Sequence, residues 1–433
     1  MSDKIVEYIV RFLLGDDVSR NLVKAIGYTA DRNVFHKYNV VIIPSGFFTE
    51  AVYGKASSLP SLPLQEVEGI PLLFGTPQTE VEGATLIVHA DIIASTYFLI
   101  SRYEEMIRRD VRDEHGRFPG KESLPYRADF IHRPIVDEYR TLLRSWLQQT
   151  NLKLPDTRIG IRKVYLTHDV DAPFLYRTWK GFIRSLRDGR GLTASFKGIF
   201  GPVEADPYYT FPWILREDKH FQENIGKKNC TPIYFFKAGG RCKQDKPRYN
   251  LRGKDIQSLI KAISKHKAIT GLHCSYQAGK EPMRIKREKS DLERVTLKKV
   301  SYSRHHFLSC REPEDMIQLE AAGITDDFTM GYADVAGFRL GTCHPVQWIN
   351  PVNRRLSPLI LHPLTIMDCT LEEKKYMGLN EKEALDYCLL LIREINNAGG
   401  ELTLLWHNTV FAKESGSYQR SLYTSLLNEL MKK

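Results

Sequence analysis

No cysteine precedes Cys230, and none of the seven from there onward forms a CxxC pair. An odd number of scattered thiols excludes a disulfide framework and points to a reducing compartment. The chain also lacks any apolar run long enough to span a bilayer. Its opening, Met-Ser-Asp-Lys-Ile-Val-Glu, lacks the basic-then-apolar layout of a secretory leader, so a cytoplasmic location is expected. Internal repeats and low-complexity segments are missing too. No basic groove interleaved with aromatics stands out, and a net charge of +10 is modest for 433 residues, so nucleic acid is not the expected partner. What remains, 42% hydrophobic and 26% charged residues, is the composition of an ordinary globular protein.

The length suggests two domains. Residues 1–155 read as a smaller α/β unit, with an apolar run at 5–14 and strands at 38–43 and 84–89. Helices are expected at 91–107 and 134–149, and the polar, Gly- and Pro-punctuated stretch 110–125 as a loop. Arg102, Glu104 and Glu105 read as surface charge on the first of these helices. Asp110, Asp113, Glu114 and His115 imitate a metal cluster but fit a solvated loop better. From 156 onward, strands (161–166, 231–236, 268–272, 402–406) alternate with helices (254–266, 313–322, 381–397) at the spacing of a parallel β/α fold. Asn380 and Glu383 form a capping-box pattern, and Gly399-Gly400 end that last helix.

The second unit is organised around Val164-Tyr-Leu-Thr-His-Asp-Val-Asp171. The run is apolar and then stops on two carboxylates. If the extended conformation continues, period two places Thr167, Asp169 and Asp171 on one face and His168 on the other, as packing. Two neighbouring carboxylates suit a metal ligand beside a base, although an Asx-rich turn has the same composition. His273 and His407 also fall just past the C-terminal ends of expected strands. In a β/α barrel those ends share one rim, where catalytic groups gather.

Thr167-His-Asp-Val-Asp171, Gly271-Leu-His-Cys-Ser275, Arg304-His-His-Phe-Leu308, Gly337-Phe-Arg-Leu-Gly-Thr342 and Leu404-Leu-Trp-His407 occur in an order that resembles the NodB-homology polysaccharide deacetylases, which are metal-dependent carbohydrate esterases. Ser101-Arg-Tyr-Glu-Glu105, Asp113-Glu-His-Gly-Arg-Phe118 and Arg133-Pro-Ile-Val-Asp137 are similar to a bacterial subgroup with an extra N-terminal domain. The resemblance implies an α/β fold, a distorted (β/α) barrel over 156–433 preceded by the accessory domain. It implies a divalent metal, usually zinc, and removal of an acetyl group from a sugar of a surface polysaccharide or its precursor. By position, Asp169 resembles the general base, Asp171 and His273 metal ligands, and His407 the general acid. The family's second metal histidine is replaced by Gln277. A Gln carbonyl is a poor zinc ligand, so His306 is the expected third ligand, with His305 and then Cys274 as alternatives. Arg304 and Arg339 are expected to orient Asp169, to bind a substrate anion, or to form buried ion pairs. Asp334 lies near a family motif that orients the base or acid, while Asp368 has no assignable role. A metal-free barrel that only binds glycan or acts as a scaffold is the competing expectation.

In residues 176–191, Trp179, Phe182, Ile183 and Leu186 alternate with Arg177, Lys180, Arg184 and Arg187 at helical spacing. A core-facing helix with a basic solvated side fits this pattern. A peripheral contact with an anionic membrane is the alternative.

Overall fold

The computed structural model describes residues 3–15 and 18–432. Met1 and Ser2 of the opening septet lie outside the described residues. Six short strands come first: β1 (Ile26–Tyr28), β2 (Val40–Ile42), β3 (Gln65–Val67), β4 (Ile70–Leu72), β5 (Gly75–Glu82) and β6 (Thr85–Ala90). They form a four-stranded sheet of order β1-β2-β6-β5, with β3 and β4 as a separate antiparallel ribbon. The amphipathic helices Asp3–Leu14 and Ile135–Gln149 pack on each other and on Ile92–Ile100, which is buried along its whole length.

The single helix expected over 91–107 is two helices. Ile92–Ile100 and Tyr103–Ile107 are separated where Arg102 adopts a left-handed backbone, with φ of 53°. That break turns Arg102 and Glu105 toward the second half of the chain. Arg102 donates to Glu312, and Arg339 donates both Nε and Nη2 to Glu105 at 2.9 and 2.7 Å. Arg102 and Glu104 are buried rather than on the surface.

The remaining strands are β7 (Lys163–Val170), β8 (Cys230–Lys237), β9 (Ile269–Cys274), β10 (Tyr302–His305), β11 (Asp326–Met330), β12 (Val346–Asn350), β13 (Arg355–Pro363), β14 (Ile366–Met367) and β15 (Glu401–Leu405). They form one sheet of order β12-β13-β11-β10-β9-β8-β7-β15-β14, parallel throughout except at β12–β13. The sheet curls until β13 approaches β15, but its outer strands do not pair among the described residues. The expected barrel is thus an open, curled sheet.

Both faces of β7 are buried. Val164, Leu166 and Val170 join the main core, whereas Tyr165 packs with Ile233, Phe235 and Phe328 inside the curl. Fully burying each such side chain is worth about 1.5–3 kcal/mol, so this plug makes a firm floor beneath Asp169. It also needs Gly271, because a Cβ there would lie 2.5 Å from the Phe235 ring. The capping box at Asn380 and Glu383 is present, and Gly399 closes the helix in a left-handed conformation. Among the described residues, no helix is long and apolar enough to cross a membrane.

Candidate active site

Strand β7 runs on through Asp169, so period two holds: Asp169 and Asp171 face the inside of the curl and His168 faces out. The same period on β10 sends Tyr302, Arg304 and His306 inward. The parallel register β7–β8–β9–β10 brings these inward groups together at one rim.

Asp171, His273 and His306 form a cluster whose potential ligand atoms all lie within 4.8 Å of one another. His273 Nε2 is 3.2 Å from Asp171 Oδ1, and His306 Nε2 is 3.3 Å from Asp171 Oδ2. Such separations match the edge of a tetrahedron whose bonds to zinc are about 2.0–2.1 Å long. The opposite ring nitrogens are already committed. His273 Nδ1 lies 3.0 Å from the Arg304 carbonyl, and His306 Nδ1 lies 3.4 Å from Asp245 Oδ1. Donation from both Nδ1 atoms leaves both Nε2 lone pairs facing Asp171. Asp171 Oδ1 and His273 Nε2 are buried and make no hydrogen bond. Two orphaned donor atoms facing each other, in a set of two imidazoles and a carboxylate, fit a divalent cation. Burial pushes the Asp171 carboxyl up, but His306 and His273 outweigh it and hold it well below its ordinary value.

Arg304 is fully buried and spans the inside of the curl. It donates to Asp169 Oδ1 at 3.0 Å, to Thr167 Oγ1 at 2.8 Å and to the Phe328 carbonyl, with its guanidinium over the Phe235 ring. The other Asp169 oxygen lies 3.4 Å from His273 Nε2. Asp169 is therefore fixed beside the cluster with one oxygen turned toward it.

His407 follows β15. Asp368 accepts from His407 twice, from the backbone N–H at 2.7 Å and from Nδ1 at 2.9 Å. His407 Nε2 then points at the cluster, 3.7 Å from Asp171 Oδ2 and 4.0 Å from Asp169 Oδ2. Burial pushes His407 down, yet the Asp368 carboxylate outweighs it and holds the imidazole well above its ordinary value. A half-buried imidazole held toward its protonated form, with Nε2 turned to the cluster, is equipped to give up a proton.

The structure thus brings together Asp169, Asp171, His273, Arg304, His306 and His407, all expected from sequence. Arg339 is not among them, because its guanidinium is taken by Glu105 and the Gly331 carbonyl. The buried-pair expectation applies there, and the catalytic one is corrected. His305 points to the other side of β10, toward Asp315 at 3.8 Å, and Cys274 lies in the outer core. Gln277 is turned away, its amide accepting from the Arg241 backbone and donating to Glu281. Asp334 instead accepts from the backbone of Gly120 and Lys121.

Asp245 and Lys237 were missed, and Asp368 was named without a role. Asp245 holds His306 and is itself fixed by the backbone N–H of Tyr276 at 2.7 Å. Asp368 holds His407. Lys237, at the end of β8, brings its buried ammonium within 3.7 Å of Asp171 Oδ1. Lys237 had a sequence signal, since it follows an expected strand as His273 and His407 do.

A family of unknown function, DUF7033, matches residues 4–152. No curated protein matches the chain. Among solved structures, the chain is similar to a protein assigned as a polysaccharide deacetylase from Mycobacterium smegmatis, at 14% identity and a TM-score of 0.40, over 65% of this chain and 86% of that one. It is also similar to a CE4 family pseudoenzyme from Bacillus anthracis, at 13% identity and a TM-score of 0.31, over 65% and 66% of the two chains. An allantoinase shares 11% identity at a TM-score of 0.40, over 65% and 93%. The chemistry of this chain therefore has to be read from its own cluster.

Proposed function

We propose that the chain is a divalent-metal-dependent hydrolase that removes an acetyl group, N-acetyl in preference to O-acetyl, from a sugar of a surface polysaccharide or its precursor. The observation that carries this reading is the Asp171–His273–His306 cluster, with its unpartnered donor atoms, set between a fixed carboxylate and an imidazole that Asp368 holds in place. Asp171, His273 and His306 would hold the cation, zinc by the donor set. A cation there would polarise the acyl carbonyl and acidify a water. Asp169, aimed by Arg304, accepts the proton of the attacking water. His407, kept protonated by Asp368, delivers a proton to the departing amine so that it leaves neutral. Asp245 fixes the His306 tautomer, as a carboxylate behind a ligand histidine does. In this reading the curled sheet is a distorted NodB-type barrel, and residues 1–155 form an accessory domain that helps present the glycan.

Acetate release from N-acetylated oligosaccharides by the zinc-loaded protein is the test. Release that disappears in Asp169→Asn supports the reading. None from any acetylated saccharide at full metal occupancy refutes it. One observation favours a second reading, a metal-free barrel that binds glycan as a scaffold. The Lys237 ammonium already supplies positive charge beside Asp171. That reading requires a wild-type protein that stays metal-free after metal-replete purification.

A further inference from the structure

Residues 172–210 leave β7 immediately after Asp171 and rise from the rim of the candidate site. They carry two helices, Trp179–Arg187 and Gly191–Phe200. The base of this hairpin is fastened down. Asp206 accepts from the backbone N–H of Leu175 and Tyr176, both at 2.8 Å, and Arg177 donates to Asp255 at 2.9 Å. Asn408, the residue after His407, donates its amide to the carbonyls of Ala172 and Tyr208. Hairpin and site are therefore tied to the same rim.

The two helices meet through small buried residues on one side and through aromatic rings on the other, and the aromatic side stays open to solvent. On one side small residues meet: Ser195 donates to Ser185 Oγ at 2.9 Å and both serines are buried, while Gly181 lets the first helix sit against the Tyr176 backbone, where a Cβ would lie 2.6 Å away. The large apolar side chains of the aromatic side are left largely exposed. Trp179, Ile183, Leu192 and Phe200 are each about two-thirds exposed (65, 67, 64 and 68%), and Phe196 about half. They form one patch, with Trp179 against Phe182 and Phe200, and Phe196 against Phe182 and Phe200. The core-facing helix expected from the sequence is thus not what forms. An exposed patch of this kind marks an interaction surface. Its surround is basic, since residues 177–200 hold six basic side chains and a single acid, Asp188.

We infer that this hairpin docks on an anionic lipid bilayer, its apolar edge entering the headgroup boundary and its basic side chains lying among the phosphates. Outward Trp and Phe with flanking Lys and Arg suit that interface, where an aromatic body and a cation are both accommodated. The charge excess is complementary to an anionic leaflet, and a partner protein or a second copy would need acidic groups to match it. Docking would set the rim of the site against the membrane. Resting on the hydrolase reading above, the substrate class is then a saccharide carried on a lipid.

Co-sedimentation with phosphatidylcholine vesicles, with and without phosphatidylserine, tests the docking. The full chain binds the anionic vesicles, and binding weakens with salt. It falls about tenfold or more in Trp179→Ser/Ile183→Ser/Phe200→Ser, and again in Arg184→Glu/Arg187→Glu. These positions lie outside the metal cluster, so metal content should be unchanged, which also reports that the variants fold. Equal binding by wild type and the triple-serine variant overturns the inference. So does a concentration-dependent dimer that the same substitutions dissociate, since the face then belongs to a second copy. Asp171→Asn separates the two readings. It should lose metal and still bind vesicles, so a failed hydrolase reading would leave the docking result standing.

Discussion

Two histidine–carboxylate groups lie back to back across β7, built from adjacent residues. On the outer face, His168 is complete: Nδ1 lies 3.0 Å from the Trp406 carbonyl and Nε2 3.2 Å from Asp218. Asp218 in turn accepts the hydroxyls of Tyr234 and Tyr423, at 2.8 and 2.7 Å. On the inner face, Asp171 and His273 meet at 3.2 Å with donor atoms that make no hydrogen bond. The residue types are the same. What differs is that the outer group is saturated by protein and the inner one is not, and a buried polar group left unpaired is costly enough to call for an occupant.

The comparison can be broken most forcefully at Asp169. Asp169→Asn should lower kcat for acetyl release by about 10³-fold, and Asp368→Asn by about 10²-fold, with the fold and the metal retained. Little loss in either would put the inner group on the same structural footing as the outer. His168→Phe should do the opposite. It strips a partner from a buried carboxylate and should cost about 2–3 kcal/mol in denaturant unfolding while leaving metal content unchanged.

A third group sharpens the contrast through pH. His362 is buried between Asp326 Oδ1 at 2.9 Å and Glu401 Oε2 at 3.0 Å, and stacks on Phe328. Burial pushes its imidazole down, but Asp326 and Glu401 outweigh it, and the net direction is up. A raised folded value means that the stabilisation is complete below about pH 6.5 and is lost as pH rises through the folded value. Unfolding free energy should therefore decline across that window in the wild type. The slope should flatten in His362→Gln, which also loses about 3 kcal/mol at the acid end. An unchanged slope would show that Asp326 and Glu401 do not stabilise the protonated form of His362. The smallest effect is expected at Gln277. Its amide is spent on Arg241 and Glu281, so Gln277→Ala should leave metal affinity within about twofold, as for a surface change away from the site.

Much of the inner group was legible in the sequence because strands alternate strictly. The carboxylates at 169 and 171 and the pair Arg304–His306 follow from period two, and His273 and His407 from the ends of apolar runs. Helix 381–397 was legible from its caps. What was not legible depends on contacts far apart in the chain. Asp245 and Asp368 come from non-periodic stretches and acquire a role only when His306 and His407 are folded against them. Arg102, Glu105 and Arg339 read as surface charge or site groups because nothing local shows that residues from the two halves of the chain bury one another. The hairpin failed for a related reason. Periodicity located its apolar stripe, but only the buried Ser185–Ser195 contact between the helices reveals that the stripe is left facing out.

Bound metal per chain, measured by elemental analysis in the wild type, His273→Ala and His306→Ala after metal-replete purification, tests the central claim most directly. The account predicts about one divalent ion per wild-type chain, as expected for one site of two imidazoles and a carboxylate, and its loss from both variants. Full occupancy in His306→Ala, or none in the wild type, would contradict it.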